Sequence, residues 1–206
     1  MPWRMEMSIR WKWDEFTGIE GTAENLLKVL DELPQVTAKG KIQYLIAGGW
    51  GIELLTGLPR EHHDIDALIL DERTPSHFGT DTRKPDDYFT VISTTSKDVR
   101  ESHTTSRYWD YCKREVHIPR AEFLLVSKIY GGFGKEPRDK DYEDAARIVR
   151  TQDLDTDNLR HVFTKTRADN IEECVDRLIE INARYRGKER MDTKELVSIY
   201  KSIVKR

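Results

Sequence analysis

Two aspartates separated by one residue have the clearest chemical potential in this sequence of 206 residues. Asp64 and Asp66 precede the apolar residues 67–70. Because alternate residues of a strand share a face, a strand over 64–70 would place both carboxylates together. Two unpaired carboxylates on a core strand are costly unless a cation lies between them. An isolated Asp-x-Asp is usually solvated surface, but here the apolar run favours a site for Mg²⁺, with Mn²⁺ as the alternative.

A pair of glycines upstream is the second chemical feature. Gly48 and Gly49 lie between the apolar residues 44–47 and a short helix predicted over 50–56, which Gly57 would end. Glycines allow a sharp turn, and amides at a helix start can bind phosphate. A plain strand-to-helix turn would explain the glycines alone, and the pattern is neither a Walker A loop nor GxGxxG. Adjacent strands, however, would bring this turn and the two aspartates to one end of a sheet.

Together these residues resemble a known family. Residues 48–57, followed by Arg60, His63 and residues 64–66, are similar to the minimal nucleotidyltransferases of the DNA polymerase beta-like superfamily. The resemblance is greatest to the aminoglycoside and lincosamide branch, whose usual form is GGWA-x-D…G…R-x-H-x-D-I-D. Residues 116–128 and 138–144 are similar to two later segments of that family. The resemblance covers roughly residues 40 to 150 and does not extend to the tail.

The resemblance implies roles for individual residues. Gly48 and Gly49 would bind the triphosphate, and Asp64 and Asp66 would ligate the metal and act in catalysis. Arg60 and Lys128 would contact the nucleotide, while Arg60 and His63 would flank the metal. For Lys128, a surface lysine on an amphipathic helix is an equal alternative, and a lone histidine is more often structural or solvated.

The chain departs from the family pattern at three points. Gly51 and Glu53 stand where alanine and aspartate are usual, which are mild changes. The family often has a third carboxylate that ligates metal or serves as general base for the acceptor hydroxyl. Asp110 is the first choice for this role. The alternatives are Glu101, Glu115 and Asp98, and a surface role is equally open for each of the four.

The predicted elements define an α/β (α+β) fold, a small mixed sheet flanked by helices, with a helical C-terminal region. Thr22 can cap a helix that Pro34 stops, and residues 107–112 are ambiguous between strand and helix. Further predicted elements are strands at 88–94 and 116–119, a helix at 121–130, a helix after 141, and an all-helical tail with a capping box at Asp192 and Glu195. We divide the chain into a core with an N-terminal arm and helix, residues 1–150, and a helical region, residues 151–206.

Composition excludes several classes of protein. A net charge of −3 from 34 basic and 37 acidic residues argues against a general DNA-coating protein. No apolar run approaches the roughly 20 residues of a membrane helix, and residues 1–13 mix charges with tryptophans, unlike a signal peptide. Cys112 and Cys174 form no CxxC motif and are expected to be reduced thiols. The expected location is the cytoplasm.

The sequence therefore predicts metal-dependent transfer of a nucleoside monophosphate from a triphosphate, ATP favoured, to an acceptor hydroxyl, with release of pyrophosphate. The acceptor can be a small molecule, an RNA or a protein, and the oligomeric state is open. One alternative is a non-catalytic or weakly catalytic nucleotide-binding member of a toxin–antitoxin-like pair, with the tail as partner surface. Another is a metal-dependent phosphohydrolase. An exposed apolar stripe on the tail would favour the regulatory pair.

Overall fold

A computed structural model describes residues 19–69, 104–129, 137–165, 171–185 and 193–204 of the chain. Several predictions fall outside these ranges. They are the N-terminal arm, the strand at 88–94, and the residues Asp98, Glu101 and Asp192.

In the described ranges, seven helices and four short strands follow one another. They are α1 Ala23–Glu32, β1 Tyr44–Ile46, α2 Gly48–Thr56, β2 Ala67–Ile69, β3 Thr104–Trp109, β4 Arg114–Pro119, α3 Ala121–Ile129, α4 Asp139–Thr151, α5 Thr156–Lys165, α6 Ile171–Asn182 and α7 Thr193–Val204. The strands form two antiparallel pairs, β1 with β2 and β3 with β4. This arrangement confirms the α+β fold class.

The first helix, α1, has the predicted start and end. Thr22 Oγ1 accepts a hydrogen bond from the Asn25 amide at 3.2 Å, which satisfies one of the unpaired amides at the helix start. Three helically spaced residues bury its apolar face: Leu26, Val29 and Leu30. The helix ends just before Pro34, whose ring cannot continue it.

The second strand is shorter than predicted, and this corrects the placement of the two aspartates. β2 begins at Ala67, opposite Ile46, so Asp64 and Asp66 precede the strand instead of lying on it. One further hydrogen bond joins the Ala47 amide to the Asp66 carbonyl at 2.9 Å. The chain then leaves the sheet at Gly48, whose φ is +52°. Residues 64 and 65 therefore do not pair with β1, because the chain has already left β1 and entered α2.

A buried glutamine links the two strand pairs. Gln35 Nε2 donates to the carbonyls of Tyr44 and His117 at 3.2 and 2.8 Å. Its Oε1 accepts from the His117 amide at 2.7 Å. The Gln35 side chain therefore forms hydrogen bonds with the backbones of β1 and β4. It pairs backbone groups that would otherwise need direct hydrogen bonds between the two strands.

The ambiguous stretch at 107–112 divides between strand and turn. Its first three residues belong to β3, which pairs with β4 from Thr104 opposite Pro119 to Trp109 opposite Arg114. The remaining residues form the turn, which ends at Lys113 with a φ of +55°. The helical alternative for this stretch was therefore wrong.

The chain divides into two compact units. The first contains the described residues 19–54, 59–69 and 104–119, and the second contains 55–58 together with the described residues after 119. The sequence-based boundary at 150 lies inside α4, and as a functional boundary it stays a prediction.

The second unit is helical, as predicted for the tail. Its tail helices bury their apolar residues within this unit, including Val175, Leu178, Ile181 and Leu196. None of the helices in the described ranges is long and apolar enough to cross a lipid bilayer.

Candidate active site

The glycine turn and the second aspartate meet directly. Gly48 begins α2 with a φ of +52°, a conformation that L-residues rarely adopt. A Cβ added to Gly48 would lie 1.7 Å from Asp66 Oδ2 and 2.6 Å from Asp66 Cγ. The Asp66 carboxylate therefore lies against the backbone of the turn, and only glycine permits this approach. The predicted proximity of turn and carboxylate is present, although Asp66 lies before the strand.

The first aspartate is held through its backbone. A Cβ added to Gly21 would lie 2.6 Å from both the nitrogen and the carbonyl oxygen of Asp64. The Gly21 amide donates to the His63 carbonyl at 3.2 Å, and Trp50 Nε1 donates to the Gly21 carbonyl at 3.0 Å. The Asp64 side chain is half-buried. Sequence reasoning missed Gly21, because a glycine before a helix cap is typical of any loop.

The carboxylates at 64 and 66 suit a hard divalent cation. Within the described part of the chain, no side chain forms a hydrogen bond or ion pair with the Asp64 carboxylate. Magnesium takes one or two protein carboxylates and completes its octahedron with phosphate oxygens and water. Asp66 lies beside the glycine turn and Asp64 stands two residues before Asp66, and metal binding by the pair stays a prediction. Among the described residues there is no group of three or more His, Cys, Asp and Glu side chains that could hold a metal.

A carboxylate and a histidine that the sequence analysis did not select lie beside the turn. Glu53 Oε2 accepts from the Arg60 amide at 2.9 Å and is 2.8 Å from His62 Nε2. The His62 ring is stacked on Trp50, with centroids 3.8 Å apart and planes 7° apart. His63, the histidine selected from the sequence, is exposed. The family pattern R-x-H-x-D-I-D contained the signal, since it places its histidine two residues before the first aspartate, at position 62.

The second glycine of the turn lies against Arg60 and His62. A Cβ on Gly49 would lie 3.0 Å from Arg60 Cζ and 3.1 Å from His62 Nδ1. These distances are tighter than ordinary contacts. The structure thus brings Arg60, one of the predicted nucleotide-binding residues, to the glycine turn.

Aromatic side chains extend from the turn toward solvent. Trp109 contacts Trp50 edge to face with centroids 5.4 Å apart, and Tyr111 stacks on Trp109 at 5.2 Å. The Tyr111 hydroxyl donates to Glu24 Oε1 at 3.1 Å, and this hydrogen bond raises the pKa of Tyr111. Trp109 is half-buried, whereas Tyr111 is half exposed. The Trp109 ring therefore packs against its neighbours, and the Tyr111 ring is accessible to solvent.

The first choice for the third carboxylate lies in the β3–β4 turn. The Asp110 side chain is 87% exposed and forms an ion pair with Lys113 at 3.2 Å. Glu115 is exposed on β4, opposite Tyr108. The other two candidates lie outside the described residues. The identity of this group stays a prediction.

Lys128 is engaged by two acidic side chains of α4 in the second unit. Its Nζ is 3.0 Å from Asp141 Oδ1 and 3.0 Å from Asp144 Oδ2, and both carboxylates are buried. Burial alone would raise the pKa of Asp141, but hydrogen bonds from Arg138 and the charge of Lys128 outweigh it and lower the pKa to about 2. A contact between Lys128 and the nucleotide stays a prediction.

Comparison with known families finds a match over part of the chain. The family model of aminoglycoside-2''-adenylyltransferase matches residues 25–106. The chain resembles the aminoglycoside branch of the nucleotidyltransferases. The match spans less than half of the chain, and it includes the glycine turn, Glu53, Arg60, His62 and the aspartates at 64 and 66. Asp110 and Lys128 lie outside it. No curated protein and no solved structure matches the chain. The family match supports nucleotidyltransferase activity in general.

Proposed function

We propose that this protein is a metal-dependent nucleotidyltransferase. It transfers a nucleoside monophosphate, AMP in the first instance, from a triphosphate to an acceptor hydroxyl and releases pyrophosphate. The observation that carries the proposal is the contact between the Gly48 backbone and the Asp66 carboxylate, inside the segment that matches the adenylyltransferase family. That contact joins a phosphate-binding type of turn to a metal-binding type of carboxylate.

The residues of the first unit divide the work of binding. Backbone amides at the start of α2 would bind phosphate oxygens, supported by the partial positive charge of the helix N-terminus. Arg60, beside Gly49, would add a full positive charge. Asp64 and Asp66 would hold Mg²⁺, which when bound neutralises charge on the phosphates as the leaving group departs.

The transfer itself forms one bond and breaks one. The acceptor oxygen bonds to the α-phosphorus, and the bond from this phosphorus to the bridging oxygen breaks, so the electron pair leaves with pyrophosphate. The hydroxyl proton goes to a general base, for which Asp110 is the first candidate and Asp98, Glu101 and Glu115 are the others. The acceptor is a small molecule, an RNA or a protein, and a cytoplasmic location is part of the same proposal.

The tail residues whose burial is described do not favour the regulatory-pair alternative. Val175, Leu178, Ile181 and Leu196 are buried in the second unit, so these apolar side chains are not available to a partner. Buried apolar residues of this kind stabilise the unit that contains them.

The test is a transfer assay with each of the four labelled triphosphates, Mg²⁺ and a pool of cellular RNA, proteins and metabolites. The wild type is compared with an Asp64→Ala, Asp66→Ala double variant. Asp176→Ala removes an exposed carboxylate from α6 and serves as the matched control. We expect transfer by the wild type and the control and loss of transfer in the double variant. Equal transfer by all three would disprove the site, and absence of triphosphate binding by the wild type would disprove the enzyme proposal.

A further inference from the structure

We propose that Glu53 is a positioning residue for triphosphate binding, acting through Arg60 and His62 on the turn at Gly49. The inference rests on the proposed function, because it assumes that this turn binds the triphosphate. In it, Glu53 does not touch the nucleotide. It fixes the segment that carries Arg60, so that the guanidinium lies where a phosphate oxygen would be bound.

A single oxygen of Glu53 makes both hydrogen bonds. Oε2 accepts from the Arg60 backbone amide at 2.9 Å and lies 2.8 Å from His62 Nε2. A carboxylate only accepts, so His62 must carry a proton on Nε2. Hydrogen bonds to an ionised acceptor are stronger than those between neutral groups. Glu53, on α2, therefore ties the segment after α2 back to the helix at two points.

The imidazole has a second restraint that is independent of Glu53. Its ring is parallel to the Trp50 indole at 3.8 Å, and its side chain is only 7% exposed. The indole is itself anchored by the hydrogen bond from Nε1 to the Gly21 carbonyl. His62 is thus held on its face by Trp50 and at its edge by Glu53. A ring held in this way has little rotational freedom left.

These restraints converge on Gly49. The Arg60 Cζ and Nη1 atoms are 3.0 and 3.1 Å from the position of a Cβ on Gly49, and His62 Nδ1 is 3.1 Å from it. A planar guanidinium can bind a phosphate through two parallel hydrogen bonds, and a restrained segment lowers the entropy lost when it does so. The amides at the start of α2 point in the direction that favours anions. The Arg60 guanidinium, whose Nε donates to the Glu61 carbonyl at 3.3 Å, therefore lies beside the start of α2 on a segment whose backbone Glu53 holds.

A merely structural role for Glu53 predicts a different result, and the two can be separated. If Glu53 only fastens the segment, its loss lowers the thermal unfolding temperature and leaves triphosphate affinity unchanged. If Glu53 positions Arg60, its loss weakens triphosphate binding in a protein that remains folded. Glu53→Gln keeps an acceptor oxygen but removes the charge, so it should fold even if Glu53→Ala does not.

The experiment measures the dissociation constant of labelled ATP by equilibrium dialysis, alongside thermal unfolding. The proteins are the wild type, Glu53→Gln, Glu53→Ala, Arg60→Ala and the double variant Glu53→Ala, Arg60→Ala. Glu61→Ala is the matched control, because it removes an exposed carboxylate from the same segment. We expect the constant to rise about tenfold in Glu53→Ala and by a smaller factor in Glu53→Gln. Glu61→Ala should equal the wild type.

The double variant decides whether Glu53 acts through Arg60. If it does, the double variant binds no more weakly than Arg60→Ala alone, because the positioned group is already absent. If the fold-changes in the dissociation constant of the two single variants multiply in the double variant, the inference is overturned. Wild-type affinity in both Glu53 variants would also overturn it. Either result leaves the proposed function standing. If the wild type binds none of the four triphosphates, the proposed function fails, and this inference fails with it.

Discussion

The Asp66 carboxylate lies in the space that any side chain on Gly48 would need. A Cβ on Gly48 would be 1.7 Å from Asp66 Oδ2, and the φ of Gly48 is +52°. Conformation and space therefore both require glycine at this position. The contact also connects the two chemical features of the sequence, since one end of it belongs to the turn and the other to the carboxylate pair.

Gly48→Ala should unfold more easily and lose transfer activity. An alanine at positive φ costs about 1 kcal/mol, and displacing Asp66 adds to that cost, so the total should exceed about 2 kcal/mol. Gly40→Ala is the matched control, because Gly40 also has a positive φ of +75° but nothing lies within 4 Å of its added Cβ. Urea denaturation of both variants measures the difference. Equal destabilisation would show that the contact with Asp66 is not present in solution.

Gln35→Leu should be strongly destabilising. The side chain is buried and forms three hydrogen bonds, to the Tyr44 carbonyl and to both backbone groups of His117. A leucine would leave these buried groups unpaired, at a cost of about 2–4 kcal/mol. Gln43→Ala removes an exposed hydrogen bond to the Pro34 carbonyl and should cost less than about 1 kcal/mol. A similar free energy of unfolding for the two variants would contradict the bridging role.

Lys128→Met should lower stability whether or not Lys128 contacts a nucleotide. It would leave the buried carboxylates of Asp141 and Asp144 without their shared cation, at a cost of about 3 kcal/mol. Arg160→Met breaks a pair with Asp157, whose side chain is 90% exposed, and should change the free energy of unfolding by less than about 1 kcal/mol. Thermal unfolding of both variants tests this. An unchanged Lys128→Met protein with weakened ATP binding would instead support the nucleotide contact.

Stability should fall in acid as Asp141 is protonated. Its pKa is lowered from 3.8 to about 2 in the folded protein, so the folded state favours the charged form. The resulting stability is fully present above about pH 4 and is lost as the pH falls toward 2, with a total of roughly 2 kcal/mol. Denaturation between pH 5 and pH 2 measures it. Asp141→Asn should show a smaller loss over this window, and an identical loss would contradict the lowered pKa.

Local sequence signals determined much of the fold. Thr22 and Pro34 marked both ends of α1, and Gly57 marked the end of α2, because caps and stops depend on neighbouring residues alone. The apolar runs located β1 and the core of β2. The start of β2 was not legible, since a strand begins where its partner is present, and β1 leaves the sheet at Gly48. For the same reason, the sequence could not distinguish strand from helix at residues 107–112, because the strand part of this stretch forms by pairing with β4.

The candidate site, like the fold, was predictable from the sequence in part and decided by the tertiary structure in part. The types and order of Gly48, Gly49, Asp64 and Asp66 predicted phosphate and metal chemistry, because glycines let backbone amides approach a phosphate and two nearby carboxylates can share a divalent cation. Only the tertiary structure placed the Asp66 carboxylate on Gly48 and showed that His62, the histidine at the position of the family pattern, is packed beside the turn while His63 is exposed. Residue type alone does not distinguish two neighbouring histidines, whose burial depends on what surrounds them. Glu53 and Trp50 surround one of the two, and those contacts exist only after the segment following α2 folds back onto the helix.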